Sequence, residues 1–213
     1  MLNKLPLDPT PLVSTVPVIP VLTITNAADA VPLARALGAG GLRVIEVTLR
    51  TDAAIDAIKS IAGEVGDCVV GAGTVTEPRH VDAVVDAGAK YLVSPGTPPT
   101  LAKALAQAPV PAVPGCATVT EALWLAEHGF KVLKFFPAES AGGTGWLKSI
   151  AGPLPDLRFC PTGGIDIRNA AAYLALANVV AVGGSWVVPK EALAARDFAR
   201  ITALAREAAQ LRP

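Results

Sequence analysis

A lysine inside an apolar segment is the first residue of this sequence that suggests chemistry. Lys134 lies in the segment Lys131–Pro137, where strand alternation places it on one face with Val132 and Phe136. Apolar surroundings disfavour the charged form of an amine, and a neutral lysine amine can attack a ketone. Two interpretations are open: an imine-forming nucleophile, or a side chain at a strand end that reaches solvent.

A second apolar segment carries a carboxylate and a guanidinium. Period-two alternation in Val44–Arg50 places Glu46, Thr48 and Arg50 on the same face. In a dry site Glu46 could act as a general acid–base, and Arg50 could hold a substrate carboxylate through two hydrogen bonds. A structural ion pair between Glu46 and Arg50 explains the same pattern, so this segment alone does not decide its role.

Glycine-rich stretches follow several apolar segments. Gly71-Ala72-Gly73-Thr74 and Ser94-Pro95-Gly96-Thr97 offer hydroxyl groups that either contact a ligand or only cap a helix. Two further stretches, Thr162-Gly163-Gly164 and Gly183-Gly184-Ser185, lie one strand–helix unit apart. Turns of this kind after the last two strands of a barrel bind phosphate through backbone N–H groups. They predict a phosphate site, with tight turns that bind nothing as the alternative.

The elements that must position these groups alternate between short β-branched segments and Ala/Leu-rich segments of helical period. Eight such pairs predict a parallel sheet covered by helices. The count of eight, and the lack of a Gly-x-Gly-x-x-Gly turn after the first strand, favour an α/β fold of the (β/α)₈ TIM-barrel type over an open doubly wound sheet. In such a barrel, chemistry gathers at the carboxyl ends of the strands.

The predicted strands are Val16–Leu22, Leu42–Leu49, Cys68–Gly71, Tyr91–Ser94, Pro111–Pro114, Val132–Phe136, Arg158–Cys160 and Val179–Val182. The predicted helices are Ala28–Leu37, Asp52–Ala62, Pro78–Ala87, Pro99–Ala106, Thr120–His128, Trp146–Ile150, Arg168–Leu176 and Arg196–Leu211.

Composition limits the class of protein. Of 213 residues, 52% are hydrophobic and 17% are charged, which is ample apolar material for a core. With 18 basic and 18 acidic residues the net charge is zero, which argues against nucleic acid or an anionic membrane as a partner. Cys68, Cys116 and Cys160 are far apart, so the sequence predicts neither a disulfide framework nor a thiolate metal site.

The first residues of the chain read as an arm. Pro6, Pro9 and Pro11 interrupt the continuous apolar stretch that a signal peptide needs. We therefore expect a surface arm at residues 1–15, a single barrel domain at residues 16–213, and a cytoplasmic protein. The uncharged stretch at residues 170–188 is expected to be a helix followed by a buried strand, not a membrane span.

Taken together, the motifs resemble those of 2-keto-3-deoxy-6-phosphogluconate (KDPG) and 4-hydroxy-2-oxoglutarate (KHG) aldolases. The matching segments are Glu46–Thr51, Gly71–Val75, Lys134–Glu139, Arg158–Ile165 and Gly183–Trp186. The resemblance runs from about Val16 to the end of the chain. It implies a (β/α)₈ barrel, a class I Schiff-base aldolase that needs no metal or other cofactor, and usually a homotrimer. The implied reaction cleaves a phosphorylated 2-keto acid, KDPG, to pyruvate and glyceraldehyde 3-phosphate.

The resemblance also implies roles for individual residues. Lys134 would form the imine with the substrate ketone, and Glu46 would transfer protons. The implied substrate-binding residues are Arg50, Thr74 and Pro95 at the carboxylate, Phe136 as a wall, Thr162 at a chain hydroxyl, and Gly163, Gly164, Gly184 and Ser185 at the phosphate.

Other functions compete with this interpretation. Within the family, the substrate could be KHG or the galactonate epimer of KDPG. A phosphosugar isomerase or epimerase on the same barrel would use Glu46 as a base and would not require Lys134. A barrel that only binds a phosphorylated metabolite would convert nothing. The polar groups form a complete set for imine chemistry, which favours the aldolase.

Overall fold

Short strands and helices alternate along residues 5–211, which are the residues that the computed structural model describes. The strands are β1 (Val18–Leu22), β2 (Val44–Thr48), β3 (Val69–Gly73), β4 (Leu92–Val93), β5 (Ala112–Val113), β6 (Gly115–Cys116), β7 (Val132–Phe135), β8 (Arg158–Pro161) and β9 (Val182–Gly184). The helices are α1 (Thr10–Val13), α2 (Ala30–Ala39), α3 (Ala54–Glu64), α4 (Pro78–Asp86), α5 (Pro99–Gln107), α6 (Val119–Glu127), α7 (Gly143–Ala151), α8 (Ala170–Leu174), α9 (Lys190–Ala194) and α10 (Phe198–Ala209).

The strands pair in parallel and form two sheets. A curled six-stranded sheet has the order β5-β4-β3-β2-β1-β9, and a three-stranded sheet has the order β6-β7-β8. The predicted strand Pro111–Pro114 is therefore divided: β5 and β6 lie on either side of Pro114, which has no N–H for a ladder. Isolated parallel bridges from Phe159 to Val179 and from Thr162 to Gly183 connect the two sheets on the other side.

Packing on the outer face of β7 decides which way its lysine points. Leu133 and Phe135 are fully buried, and the Phe135 ring stacks on Trp146 of α7 with ring centroids 4.2 Å apart. Burying a phenylalanine side chain contributes about 1.5–3 kcal/mol. Because side chains alternate along a strand, this packing turns Lys134 toward the interior. The predicted alternation of β7 is confirmed.

The N-terminal arm differs from the prediction. Residues 1–4 lie outside the described part of the chain, and Leu5 and Leu7 are exposed as expected. Thr10–Val13, however, forms the short helix α1, and its Val13 side chain is fully buried. The expected surface arm is wrong for this turn, because an apolar side chain before β1 gains more by covering the core than by facing water.

Several predicted boundaries also change. The predicted helix Arg196–Leu211 begins only at Phe198, because Arg196 takes a positive φ of 53° and ends the short helix α9. The predicted helix Trp146–Ile150 is longer, from Gly143 to Ala151. The last strand lies at Val182–Gly184 instead of Val179–Val182.

The uncharged stretch at residues 170–188 divides into α8 and β9, as predicted. Within residues 5–211, no helix combines the length and the apolar character that crossing a membrane requires.

Candidate active site

The centre of the site is a contact between β2 and β7 across the interior. Lys134 Nζ lies 3.2 Å from Glu46 Oε1, and the two residues are only 3% and 4% exposed. The alternative in which Lys134 reaches solvent is therefore wrong. The alternative pairing of Glu46 with Arg50 is also wrong, since Glu46 contacts Lys134 while Arg50 donates a hydrogen bond to Thr74.

Glycines make room for this pair. A Cβ on Gly73 would overlap the Glu46 carboxylate, and a Cβ on Gly71 would overlap the Tyr91 ring. The Tyr91 hydroxyl, in turn, donates a hydrogen bond of 2.9 Å to the Ile45 carbonyl oxygen in β2. The glycines predicted to admit a ligand at this strand thus accommodate Glu46 and Tyr91. Tyr91 is a residue that sequence reasoning missed, although the glycines of the neighbouring strand signal a bulky partner.

The other titratable groups beside the pair stay neutral near pH 7. Burial is the main cause that raises the pKa of the Cys160 thiol to about 12, and the Glu46 carboxylate adds to it. Burial, together with Glu46, also raises the pKa of the Tyr91 hydroxyl well above its usual value. Neither group can supply or remove a proton easily at neutral pH. Lys134 and Glu46 are therefore the remaining candidates for proton transfer among the titratable side chains that line the small cavity.

Two cavities meet at this centre. Lys134 and Glu46 line a small one of about 10 Å³, close to the smallest volume that holds a single water molecule. A much larger cavity of about 1060 Å³ opens beside it, and Thr162 and Gly183 line both. The Phe136 ring centroid lies 5.4 Å from Lys134 Nζ, and Phe136 also lines the large cavity. A substrate in the large cavity would thus approach the lysine past Phe136 and Thr162.

The residues expected at the substrate carboxylate lie at the ends of β2 and β3. Arg50 Nε donates a hydrogen bond of 3.1 Å to Thr74 Oγ1, and Arg50 lines the large cavity. Thr74 has a positive φ of 57°, which is uncommon for a residue with a side chain and tends to occur at functional sites. Pro95 is half-buried, and its carbonyl lies where a Cβ on Gly115 would fall.

The four residues expected at the phosphate line the large cavity together with Thr162, which was expected at a chain hydroxyl: Gly163, Gly164, Gly184 and Ser185. Gly163 and Gly164 have positive φ values of 103° and 76°, so this turn needs residues without a side chain. A Cβ on Gly184 would overlap the Trp186 ring. Exposed backbone N–H groups in such turns can bind an anion. Trp186 is a second residue that sequence reasoning did not place in the site.

The cavity continues beyond these turns to a charged rim. Arg196 and Asp29 form an ion pair of 2.6 Å, and Lys190 lies beside them on the lining. Sequence reasoning did not single out these three residues, since they are distant in the chain and follow no motif. Elsewhere in residues 5–211, no three His, Cys, Asp or Glu side chains come close enough to form a metal site; metal-independent chemistry stays a prediction.

Residues 11–204 of the sequence match the model of the KDPG and KHG aldolase family. The chain belongs to that family. It is 50% identical over 199 residues to the KHG/KDPG aldolase of Escherichia coli (strain K12), which covers 93% of each chain. It is 52% identical over 192 residues to the 2-dehydro-3-deoxy-phosphogluconate aldolase of Dickeya dadantii (strain 3937), covering 90% of each.

Solved structures of family members superpose closely. The KDPG aldolase from Legionella pneumophila, with pyruvate captured as a covalent carbinolamine intermediate, has a TM-score of 0.94 and 44% identity, and covers 96% of this chain and 99% of that one. The enzyme from Zymomonas mobilis ATCC 29191 has a TM-score of 0.92 and 44% identity, covering 97% and 98%. The family resemblance predicted from the motifs is confirmed.

Proposed function

We propose that this protein is a class I aldolase that cleaves KDPG to pyruvate and glyceraldehyde 3-phosphate through an imine on Lys134. The buried contact between Lys134 and Glu46 carries this proposal. An amine that must become neutral lies against a carboxylate that can accept its proton. The related Legionella pneumophila structure, which holds pyruvate as a carbinolamine, supports the same chemistry here.

Imine formation begins when Lys134 passes a proton to Glu46. The neutral amine attacks C2 of the substrate and forms the C–N bond, and a proton moves from nitrogen to the former ketone oxygen to give the carbinolamine. Glu46 then protonates the hydroxyl, which leaves as water. The products of this stage are a protonated imine and a Glu46 carboxylate.

Carbon–carbon cleavage follows from the same two groups. The Glu46 carboxylate takes the proton of the C4 hydroxyl, the C3–C4 bond breaks, and its electron pair moves into the imine to give a neutral enamine and glyceraldehyde 3-phosphate. Glu46 returns the proton to C3, and water then hydrolyses the pyruvate imine. We assign Phe136, whose ring centroid lies 5.4 Å from Lys134 Nζ, the role of limiting the entry of other water.

Binding at the two ends of the substrate holds C2 near Lys134. We assign the carboxylate to Arg50, Thr74 and Pro95, since the Arg50–Thr74 hydrogen bond fixes a guanidinium at the cavity wall. We assign the phosphate to Gly163, Gly164, Gly184 and Ser185, and a chain hydroxyl to Thr162, because all five line the cavity beyond the lysine. Arg50 and the glycine turns line the same cavity, which supports a substrate with an anion at each end.

We further propose that the two sheets act as one closed (β/α)₈ barrel. The direct succession of β5 and β6 around Pro114 and the bridge from Thr162 to Gly183 support closure. The barrel domain would span residues 16–213, with residues 1–15 as its arm.

The family resemblance favours a homotrimer in the cytoplasm. Two exposed apolar side chains on α6, Val119 and Leu123, are candidates for the trimer interface. Light scattering would measure the oligomeric state.

KHG is the second candidate substrate. The Escherichia coli relative, 50% identical, is named for both activities. KHG ends in a carboxylate at C5, and KDPG continues to a phosphate on C6, so both compounds carry an anion on the side of C4 away from the ketone, where the glycine turns line the cavity. The galactonate epimer is a third candidate, because a solved native KDPGal structure is 28% identical with a TM-score of 0.77. Comparing kcat/KM for the three compounds ranks them.

Reductive trapping tests the imine. Borohydride in the presence of pyruvate should add one reduced pyruvyl group, and peptide mapping should place it on Lys134. Lys134→Met should abolish the adduct, whereas Lys131→Met, an exposed lysine three residues away, should leave it unchanged. An intact protein that is not trapped, or is trapped at another lysine, would exclude this mechanism and would favour an isomerase-type reaction on Glu46.

A further inference from the structure

Glu139 and Tyr173 form a contact that the reaction does not use. The Tyr173 hydroxyl donates a hydrogen bond to Glu139 Oε1, linking the loop after β7 to helix α8. Tyr173 is 1% exposed, whereas Glu139 lies at the surface and does not line the catalytic cavities. Burial and the Glu139 carboxylate raise the pKa of the Tyr173 hydroxyl, so it remains a donor at neutral pH.

Glu139 touches the glycine turn expected to bind phosphate. Its Cβ and Cγ lie 2.7 Å from the position that a Cβ on Gly164 would occupy, and its backbone N–H donates a hydrogen bond of 3.1 Å to the Gly163 carbonyl. From the other side, Asn169 Nδ2 donates 3.1 Å to the Gly164 carbonyl. The turn, with its two positive φ angles, is thus enclosed by Glu139 and the start of α8.

We propose that Tyr173 and Glu139 are positioning residues for phosphate selectivity, a role that rests on the proposed function. The Glu139 stem shapes the Gly163–Gly164 turn. Tyr173 holds the carboxylate of that stem away from the anion that the turn binds. Without the tyrosine hydroxyl, a mobile negative charge would lie on the side chain that packs against the turn, and like charges repel.

The test compares KDPG with 2-keto-3-deoxygluconate, which lacks the phosphate. Tyr173→Phe should raise KM for KDPG about tenfold, because the loss of a hydrogen bond to a charged group typically has an effect of about this size. The kcat for KDPG and the KM for 2-keto-3-deoxygluconate should change much less. Adding Glu139→Gln to Tyr173→Phe should reduce the defect, because the freed side chain is then neutral. Glu139→Ala should raise KM for KDPG more than Glu139→Gln, which keeps the stem and an acceptor for Tyr173.

Tyr91→Phe is the matched control, because it also removes a buried tyrosine hydroxyl with one hydrogen bond. Tyr91→Phe should change KM for KDPG and KM for 2-keto-3-deoxygluconate by a similar factor. Equal effects of Tyr173→Phe on the two compounds, no effect on either, or no reduction of the defect by Glu139→Gln would each overturn the proposal. Because Glu139 is exposed, its variants give the answer even if Tyr173→Phe folds poorly.

Pyruvate trapping on each variant separates this result from the proposed function. If the unaltered protein forms no adduct, the aldolase proposal fails. If the unaltered protein and Tyr173→Phe are trapped alike and phosphate selectivity is unchanged, only the role of Tyr173 and Glu139 fails.

Discussion

The proposed catalytic pair, Lys134 and Glu46, and the glycine turns proposed to bind phosphate are built in opposite ways. Lys134 and Glu46 act through side chains that are almost wholly buried and 3.2 Å apart. Gly163, Gly164 and Gly184 line the large cavity without a side chain, and a Cβ on Gly164 or Gly184 would overlap Glu139 or Trp186. The first region depends on the identity of two functional groups, and the second depends on space and on backbone conformation.

This difference predicts how each region fails. Replacing one functional group of Lys134 or Glu46 should greatly lower the rate of KDPG cleavage. Substrate binding should stay almost unchanged, because the proposed contacts with the substrate anions lie elsewhere. Adding one carbon at a turn should weaken binding of the phosphate end while leaving the chemistry at Lys134 intact. Kinetic constants therefore separate the two regions: kcat reports the pair, and KM for phosphorylated substrate reports the turns.

The largest effect is expected for Glu46→Gln. Removing a general acid–base typically costs about 10²–10⁴-fold, so kcat for KDPG cleavage should fall within that range. The dissociation constant for pyruvate, measured by calorimetry, should change far less. Glu64→Gln, at the exposed end of α3, serves as the control and should match the unaltered protein. Equal losses in turnover and pyruvate binding would indicate that Glu46 is structural.

A smaller effect is expected for Gly184→Ala. The new methyl group would overlap the Trp186 ring and should displace the turn, raising KM for KDPG about tenfold, which corresponds to about 1.4 kcal/mol of lost binding. Borohydride trapping of pyruvate on Lys134 should persist. Gly63→Ala is the control, since a Cβ there meets nothing within 4 Å, and it should stabilise helix α3 slightly. Loss of trapping in Gly184→Ala would contradict the separation of the two regions.

The smallest effect is expected far from both regions, at the start of α6. Thr118 and Glu121 form a capping box, in which the carboxylate accepts hydrogen bonds from backbone N–H groups. The bond from Ala117 is the main cause that lowers the pKa of Glu121 in the folded protein. Thr118→Ala should cost about 1 kcal/mol of folding stability and leave both kinetic constants unchanged.

The sign of the pH dependence follows from the lowered pKa. A carboxyl group with a lower pKa in the folded state stabilises the protein above its unfolded pKa and loses that contribution as the pH falls through the folded pKa. Chemical denaturation at several pH values should therefore show that Glu121→Gln is less stable than the unaltered protein near neutral pH. The difference should vanish in acid; a difference that grows in acid would contradict the capping role.

The sequence predicted which strand residues face the interior better than it predicted the boundaries of the elements around them. Alternation identified Glu46 and Lys134 because a polar residue inside an apolar strand is visible locally. Their mutual contact was not visible, since it joins strands 88 residues apart, and pairing with Arg50 fitted the pattern equally well. Pairing across a sheet interior is decided by packing, such as that of Phe135 on Trp146, which no local period encodes.

The errors occur where one side chain overrides a pattern. Pro114 divides a predicted strand because it lacks an N–H, and the helix predicted from Arg196 begins two residues later because the Arg196 backbone leaves the helical region. Val13 is buried although prolines surround it. Tyr173 and Glu139 escaped notice because a lone tyrosine in a helix carries no signal until the fold brings it to the turn.

Helix α1 limits the routes by which substrate and products can reach or leave Lys134. Val13 precedes β1 and lines the same small cavity as Lys134, so its side chain closes the interior at the amino ends of the strands. Substrate and products would then enter and leave through the large cavity at the carboxyl ends of the strands. In the proposed mechanism the aldehyde is free to leave through this opening once the C3–C4 bond breaks, whereas pyruvate stays bonded to Lys134 until its imine is hydrolysed.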